Sequence, residues 1–198
     1  SNLGNTLIDM YSKCGNLVKA QNVFDNLNTR DEISWTSLIR GYAQLGASGS
    51  VFSVYEKMIE DGINPTPVTF ICVLNACSHT GLVDDGQVYF KVMSANCGIM
   101  PTVEHHTCII DLLGRAGQLE CALAVTQTIC TNHDSILWHT VLDACRKSGN
   151  LDLGKHAFEH ALRLNGTDSA AYIFMSDMHV HTAKMQENDV EALEREYG

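Results

Sequence analysis

The chain has little positive charge. Its 13 Lys and Arg face 23 Asp and Glu, a net charge of −10. That excludes a general polyanion binder, because non-specific nucleic-acid affinity comes from neutralised phosphates. A narrow basic stripe on one face remains open. No apolar run approaches the roughly 18–20 residues of a membrane span, and no signal or transit peptide is visible. Linkers and low-complexity stretches are missing too. The eight cysteines (Cys14, Cys72, Cys77, Cys97, Cys108, Cys121, Cys130, Cys145) form no C-x-x-C, and no H-x-E occurs. A zinc site built on those two elements is excluded, and neither catalysis nor a cofactor is expected. Several cysteines, such as Cys77 and Cys145, fall in equivalent apolar slots. Reduced thiols packed as small hydrophobes are the expectation.

What is present is a recurring outline. "NTLIDMYSKCGN" (5–16) returns as "TSLIRGYAQLGA", "ICVLNACSHTGL", "TCIIDLLGRAGQ" and "HTVLDACRKSGN". Aligned on Gly15, Gly46, Gly81, Gly117 and Gly149, the copies are spaced 31, 35, 36 and 32 residues apart. Fifteen residues before each of the last four glycines stands Asp31, Thr66, Thr102 or Asp134. A sixth copy follows Asp168, with Ala183 in the glycine slot. The first half of each unit is therefore constant, and the length variation lies in the second half.

Asp and Thr are good helix N-caps. Apolar residues follow at helical spacing, Ile33, Leu38, Ile39 and Tyr42 in one unit, Ile109, Ile110 and Leu113 in another. Glycine then ends the helix at C′. A second helix carries a small residue five places on (Ala20, Gly86, Ala122, Gly154, but Val51). It carries an aromatic nine places on (Phe24, Tyr55, Phe90, Phe158, but Thr126). One such hairpin cannot bury both faces, so hairpins must stack. The expected fold is all-α: a right-handed α-solenoid of about six helix-turn-helix hairpins, with first helices on the concave face. The cuts fall at 1–31, 32–66, 67–102, 103–134, 135–168 and 169–198. Because the chain opens inside a unit, a fragment of a longer array is expected.

Four stretches carry a resemblance: "GNTLIDMYSKCGNLVKAQNVFDNLNTRD", "SWTSLIRGYAQLG", "VTFICVLNACSHTGLVDDG" and "VEHHTCIIDLLGRAGQLE". They resemble pentatricopeptide repeats of the plant-type PLS subclass, whose unequal repeat lengths match the units here. Residues 1–134 then read as four repeats of S, P, L and S type. Residues 135–198 look like an E-type extension of two repeat-like hairpins, the second atypical around "MHVHTAKM".

The resemblance implies sequence-specific recognition of single-stranded RNA, one base per repeat. It also implies service as the address reader for cytidine-to-uridine editing in mitochondria or chloroplasts, with a cytidine deaminase in cis or in trans. The family's readers are each repeat's fifth and last residues. Here these are Asn5 with Asp31, Thr36 with Thr66, Ile71 with Thr102, and Thr107 with Asp134. By family behaviour they read uridine, a weak purine preference, nothing, and guanosine, 5′ to 3′. Ile33 and Val68 suit the base-wedging second position, whereas Asn2 and Glu104 do not. The same Asp and Thr residues are also explained as N-caps, and the two roles are compatible. The L-type unit, with apolar Ile71, is expected to bind multiple-organellar-RNA-editing-factor proteins.

Two places before the glycines sit Lys13, Gln44, His79, Arg115 and Lys147. Cations are favoured at helix C-termini, and Lys13, Arg115 and Lys147 are candidates for phosphate contacts. "HAFEH" (156–160) matches H-x-x-E-H, but Phe158 occupies the recurring aromatic slot. Glu104, His105, His106 and Cys108, or His179 and His181, could at most take adventitious metal. Residues 169–198 hold six acids against Lys184 and Arg195, a poor RNA surface better suited to protein docking. The alternative function is a protein-binding scaffold resembling tetratricopeptide repeats. The 31–36-residue spacing and the missing W-x-x-L-G count against it.

Overall fold

The computed structural model describes residues 2–129, 135–180 and 183. Ten helices run in order: α1 (Asn2–Lys13), α2 (Leu17–Asp25), α3 (Glu32–Gln44), α4 (Ser48–Glu60), α5 (Pro67–Thr80), α6 (Val83–Ala95), α7 (Val103–Arg115), α8 (Leu119–Ile129), α9 (Ser135–Ser148) and α10 (Leu151–Leu164). Residues 169–180 form an eleventh, α11, and no strand occurs among the described residues. The all-α expectation holds.

The chain divides into two compact units, Ser1–Leu112 and Leu113–Gly198. In the first, α1 packs on α2, α3 on α4 and α5 on α6. Successive hairpins join through α1 on α3 and α3 on α5. In the second, α9 packs on both α10 and α8.

The helix ends follow from single residues. Asp31 and Thr66 cap α3 and α5, each in a reciprocal box with the residue three places on, Ser34 and Thr69. Gly81 closes α5 at φ 73°, ψ 19°, its N–H bonded to the Cys77 carbonyl, a conformation a Cβ would strain. Thr102 departs from the expected cap. Its backbone N–H donates to His105 Nδ1 at 3.2 Å and its hydroxyl donates to Glu104 at 2.5 Å, so the side chain is spent locally.

The variable unit length has a physical source that the periodicity did not show. The second helix of unit 1–31 has 9 residues, whereas α4 and α6 have 13 each. The two longer helices then stop on their own glycines, Gly62 and Gly98, at φ 73° and 65°. A link through Pro65 or Pro101 follows.

The first unit's core is drawn from both helices of each hairpin. Ile8, Leu38, Ile39, Phe70 and Leu74 are fully buried, each worth about 1.5–3 kcal/mol by transfer. Phe24 meets Trp35 edge-on at 4.7 Å, joining α2 to α3, and Tyr55 meets Phe70 at 6.1 Å, joining α4 to α5. Thr126, which breaks the aromatic pattern, is also fully buried and returns its hydroxyl to the Ala122 carbonyl at 2.9 Å. Ile33 does not join the core with its helical neighbours; it is 55% exposed. The small residues permit close approach: a Cβ on Gly86 would strike the Leu112 side chain.

Candidate nucleic-acid interface

In the first two hairpins the reader pair joins a first helix to the cap of the next. The fifth residue lies one turn into its helix. The last residue lies at the start of the following first helix, which packs alongside. In the first hairpin Asn5 Nδ2 donates to Asp31 Oδ1 at 3.1 Å. The same Asp31 oxygen accepts from the Ser34 amide and from the Ser34 hydroxyl, both at 2.8 Å. The Ser34 amide and hydroxyl hold the Asp31 carboxyl below its ordinary value against the effect of burial, with help from Asn5. An ionised carboxylate only accepts, so the Asn5 amide must turn Nδ2 toward it. Asn5 is 6% exposed, and its Oδ1 has no hydrogen-bond partner among the described residues.

The second pair is a closed cluster of hydroxyls. Thr36 Oγ1 lies 2.8 Å from Thr69 Oγ1 and 3.3 Å from Thr66 Oγ1, and Thr66 and Thr69 are 2.9 Å apart. The backbone amides of Thr66 and Thr69 bond into the same cluster. These hydroxyls largely satisfy one another. In the third hairpin Ile71 has no polar side-chain atom, and Thr102 is engaged by Glu104 and His105. His105 is fully buried and donates from Nε2 to the Pro67 carbonyl at 2.9 Å. Thr107 donates its hydroxyl to Val103 O at 2.9 Å within its own helix. Its partner Asp134 lies outside the described residues.

The PPR repeat family model matches residues 30–79, and the PPR repeat model matches residues 5–31 and 68–97. A mitochondrial pentatricopeptide repeat-containing protein of Arabidopsis thaliana is 40% identical over 182 residues, covering 92% of this chain and 24% of the relative. The chain carries pentatricopeptide repeats. A chloroplastic relative from the same plant is 41% identical over 184 residues, covering 93% of this chain and 22% of the relative. The chain thus spans about a quarter of the length of the curated relatives it matches.

Among solved structures, maize PPR10 superposes with a TM-score of 0.72 at 19% identity, over 96% of this chain and 29% of that one. The same maize protein in complex with an 18-nucleotide psaJ RNA element gives 0.62 at 18% identity, over 98% and 28%. The PPR domain of Arabidopsis protein-only RNase P 1 in complex with tRNA gives 0.68 at 16% identity, over 87% and 94%. At these identities the likeness establishes the fold: a solenoid of stacked pentatricopeptide hairpins.

In the second-position slots of the repeats, Ile33 is exposed and Val68 half-buried, while Glu104 is exposed and charged. Two cations of the row are paired along their own helices. Lys13 pairs with Asp9 at 2.6 Å, and Lys147 and Arg146 pair with Asp143 at 2.6 and 2.5 Å. Burial would raise the Asp143 carboxyl, but Lys147 and Arg146 outweigh it and hold it below its ordinary value. Arg115 also follows an acid four places back, Asp111, which accepts from the Ser78 hydroxyl at 2.5 Å. A cavity of about 540 Å³ lies on the second-helix side, among Phe24, Trp35, Tyr42 and Lys57. None of the reader residues lines it.

The motif reading stopped at residue 134 and missed one pair. In hairpin 135–168 the fifth residue is His139 and the last is Asp168, and His139 Nε2 lies 2.7 Å from Asp168 Oδ2. The recurrence that gave the other pairs would have given this one, had the hairpin been counted with the repeats. His160 stacks on Trp138 at 4.4 Å, and burial lowers its pKa, so it packs as a ring. Among the described residues no group of three or more His, Cys, Asp or Glu could hold a metal ion. No described helix is long and apolar enough to cross a membrane.

Proposed function

We propose that the chain reads single-stranded RNA base by base and serves as part of the address reader for organellar cytidine-to-uridine editing. The observation that carries the base reading is the Asn5–Asp31 pair. Asp31 fixes the Asn5 amide nitrogen, which leaves Oδ1 as a buried acceptor without a donor. An unsatisfied buried acceptor is unfavourable by about 1–3 kcal/mol, and a uracil N3–H would satisfy it. Thr36 and Thr66 bond to each other and to Thr69, which suits a weak purine preference. Ile71 and Thr102 read nothing, and Thr107 with Asp134 reads guanosine. Ile33 and Val68 flank the bases, and Lys13, Arg115 and Lys147 reach phosphates, Lys13 and Lys147 by exchanging their helix carboxylates Asp9 and Asp143. Phosphate contacts position the strand, and base contacts specify it.

The editing role, the division into S, P, L and S repeats over 1–134 with an E-type extension, and the organelle rest on the resemblance. Relatives named as mitochondrial and chloroplastic support the last of these. The deaminase acts in cis or in trans, and the 67–102 repeat docks a multiple-organellar-RNA-editing-factor protein. The deciding experiment is fluorescence anisotropy with short RNAs varied one base at a time. A uridine preference that disappears in Asn5→Ala supports the reading. Equal affinity for all four bases at every position would favour the protein-binding scaffold instead. Adding the editing-factor protein should tighten RNA binding; unchanged affinity removes that partner.

A further inference from the structure

We infer that hairpin 135–168 holds a further RNA base, gripped by His139 and Asp168 beside Ile136. This inference rests on the base reading above and extends it beyond residue 134, into the hairpin read from the sequence as the start of the E-type extension. The hairpin repeats the geometry of the first two. Its fifth side chain bonds to its last, as Asn5 does to Asp31 and Thr36 to Thr66. Its last residue caps the next first helix: Asp168 Oδ1 accepts from the Ala171 amide at 3.1 Å. Its second residue, Ile136, is 55% exposed, as is Ile33. No such arrangement occurs in 67–102, where the fifth residue is apolar and the last is turned to its own helix.

The chemistry sets the base class. Asp168 is 6% exposed. Burial pushes its carboxyl up, yet the bonds from His139 and the Ala171 amide hold it below its ordinary value. It is therefore an ionised acceptor, and His139 Nε2 must carry the hydrogen that faces it. In the neutral imidazole this leaves Nδ1 as a lone-pair acceptor, the same polarity Asn5 presents through Oδ1. Asp168 is buried and each of its oxygens already accepts a bond, whereas the His139 side chain is 25% exposed, so the imidazole makes the base contact. The Phe174 ring, 6.2 Å away, backs His139. An acceptor facing the centre of a Watson–Crick edge takes a ring N–H, which uracil and guanine offer. Cytosine and adenine present a ring lone pair there instead.

The test uses the 198-residue chain in mildly alkaline buffer, with RNAs differing only at the base after the one assigned to Thr107 and Asp134. Uracil or guanine there should bind about 3- to 10-fold tighter than cytosine or adenine. His139→Ala should level the four bases. His139→Asn, which keeps both the bond to Asp168 and an outward acceptor, should restore the preference. Should His139→Ala lose its helical circular dichroism, the wild-type RNA series and His139→Asn still decide. Indifference to this base, with Asn5→Ala still altering choice at the first base, overturns this site and leaves the base reading standing. Indifference at both positions removes the base reading and this site with it.

Discussion

Removing the Asp31 side chain as Asp31→Ala should destabilise the first unit by about 2 kcal/mol. Loss of the α3 N-cap contributes about 1 kcal/mol, and loss of the bond to buried Asn5 about another 1 kcal/mol. For a chain of this length that lowers the melting midpoint by about 4–8 °C. Asp31→Asn behaves differently. Asn caps as well as Asp, so its stability should stay within about 0.5 kcal/mol of wild type near neutral pH. Acid separates them further. The Asp31 carboxyl titrates below its ordinary value when folded. Its stabilisation is therefore complete above the unfolded pKa of about 3.9 and is lost as pH falls through the folded value. Asp31→Asn should lack that component of acid destabilisation. RNA affinity is then measured far below both melting midpoints, so that the folded fraction is the same. If Asp31 reads a base, Asp31→Asn changes the order of preference at the first base while the protein stays stable. If Asp31→Asn binds every RNA as wild type does, Asp31 is a helix cap and nothing more, and the first code position is refuted.

Thr107→Asn should move preference at the fourth base from guanosine toward uridine, and Arg115→Ala should weaken all RNAs alike and reduce the salt slope by about 1. Equal loss across the four bases in Thr107→Asn would leave Thr107 as a helix residue only. In the second unit, a Cβ on Gly114 would lie 2.5 Å from Ala144 Cβ. Neither atom can rotate away, so Gly114→Ala should destabilise by about 1–3 kcal/mol in urea unfolding; an unchanged midpoint would mean the helices slide apart freely. Alkylation followed by mass spectrometry should label Cys14, Cys97 and Cys121 first, because these are exposed. Cys72, Cys77, Cys108 and Cys145 are buried, with the Cys108 thiol pushed up to about 12 by burial, and should react only on unfolding.

The sequence alone determined the hairpins. A cap, a helical apolar period and a glycine are local signals, each set by backbone chemistry within one helix, so Asp31, Thr66, Gly81 and the first helices were readable without the fold. Exposure was not. Ile33 sits in the same periodic set as Leu38 and Ile39, and only packing turned it outward while burying the other two. Thr102 has the residue type of a cap, but buried His105, anchored on the Pro67 carbonyl of the neighbouring helix, drew it into a different arrangement. The cysteines divide in the same way, since composition cannot tell which thiols the next hairpin covers. Lys13 and Lys147 looked free in one dimension and proved paired with Asp9 and Asp143, because residues four apart on a helix share a face. Tertiary structure also decided which polar atoms are paired. Asn5 Nδ2 and His139 Nε2 face the ionised caps Asp31 and Asp168 because stacking brings together residues 26 and 29 positions apart.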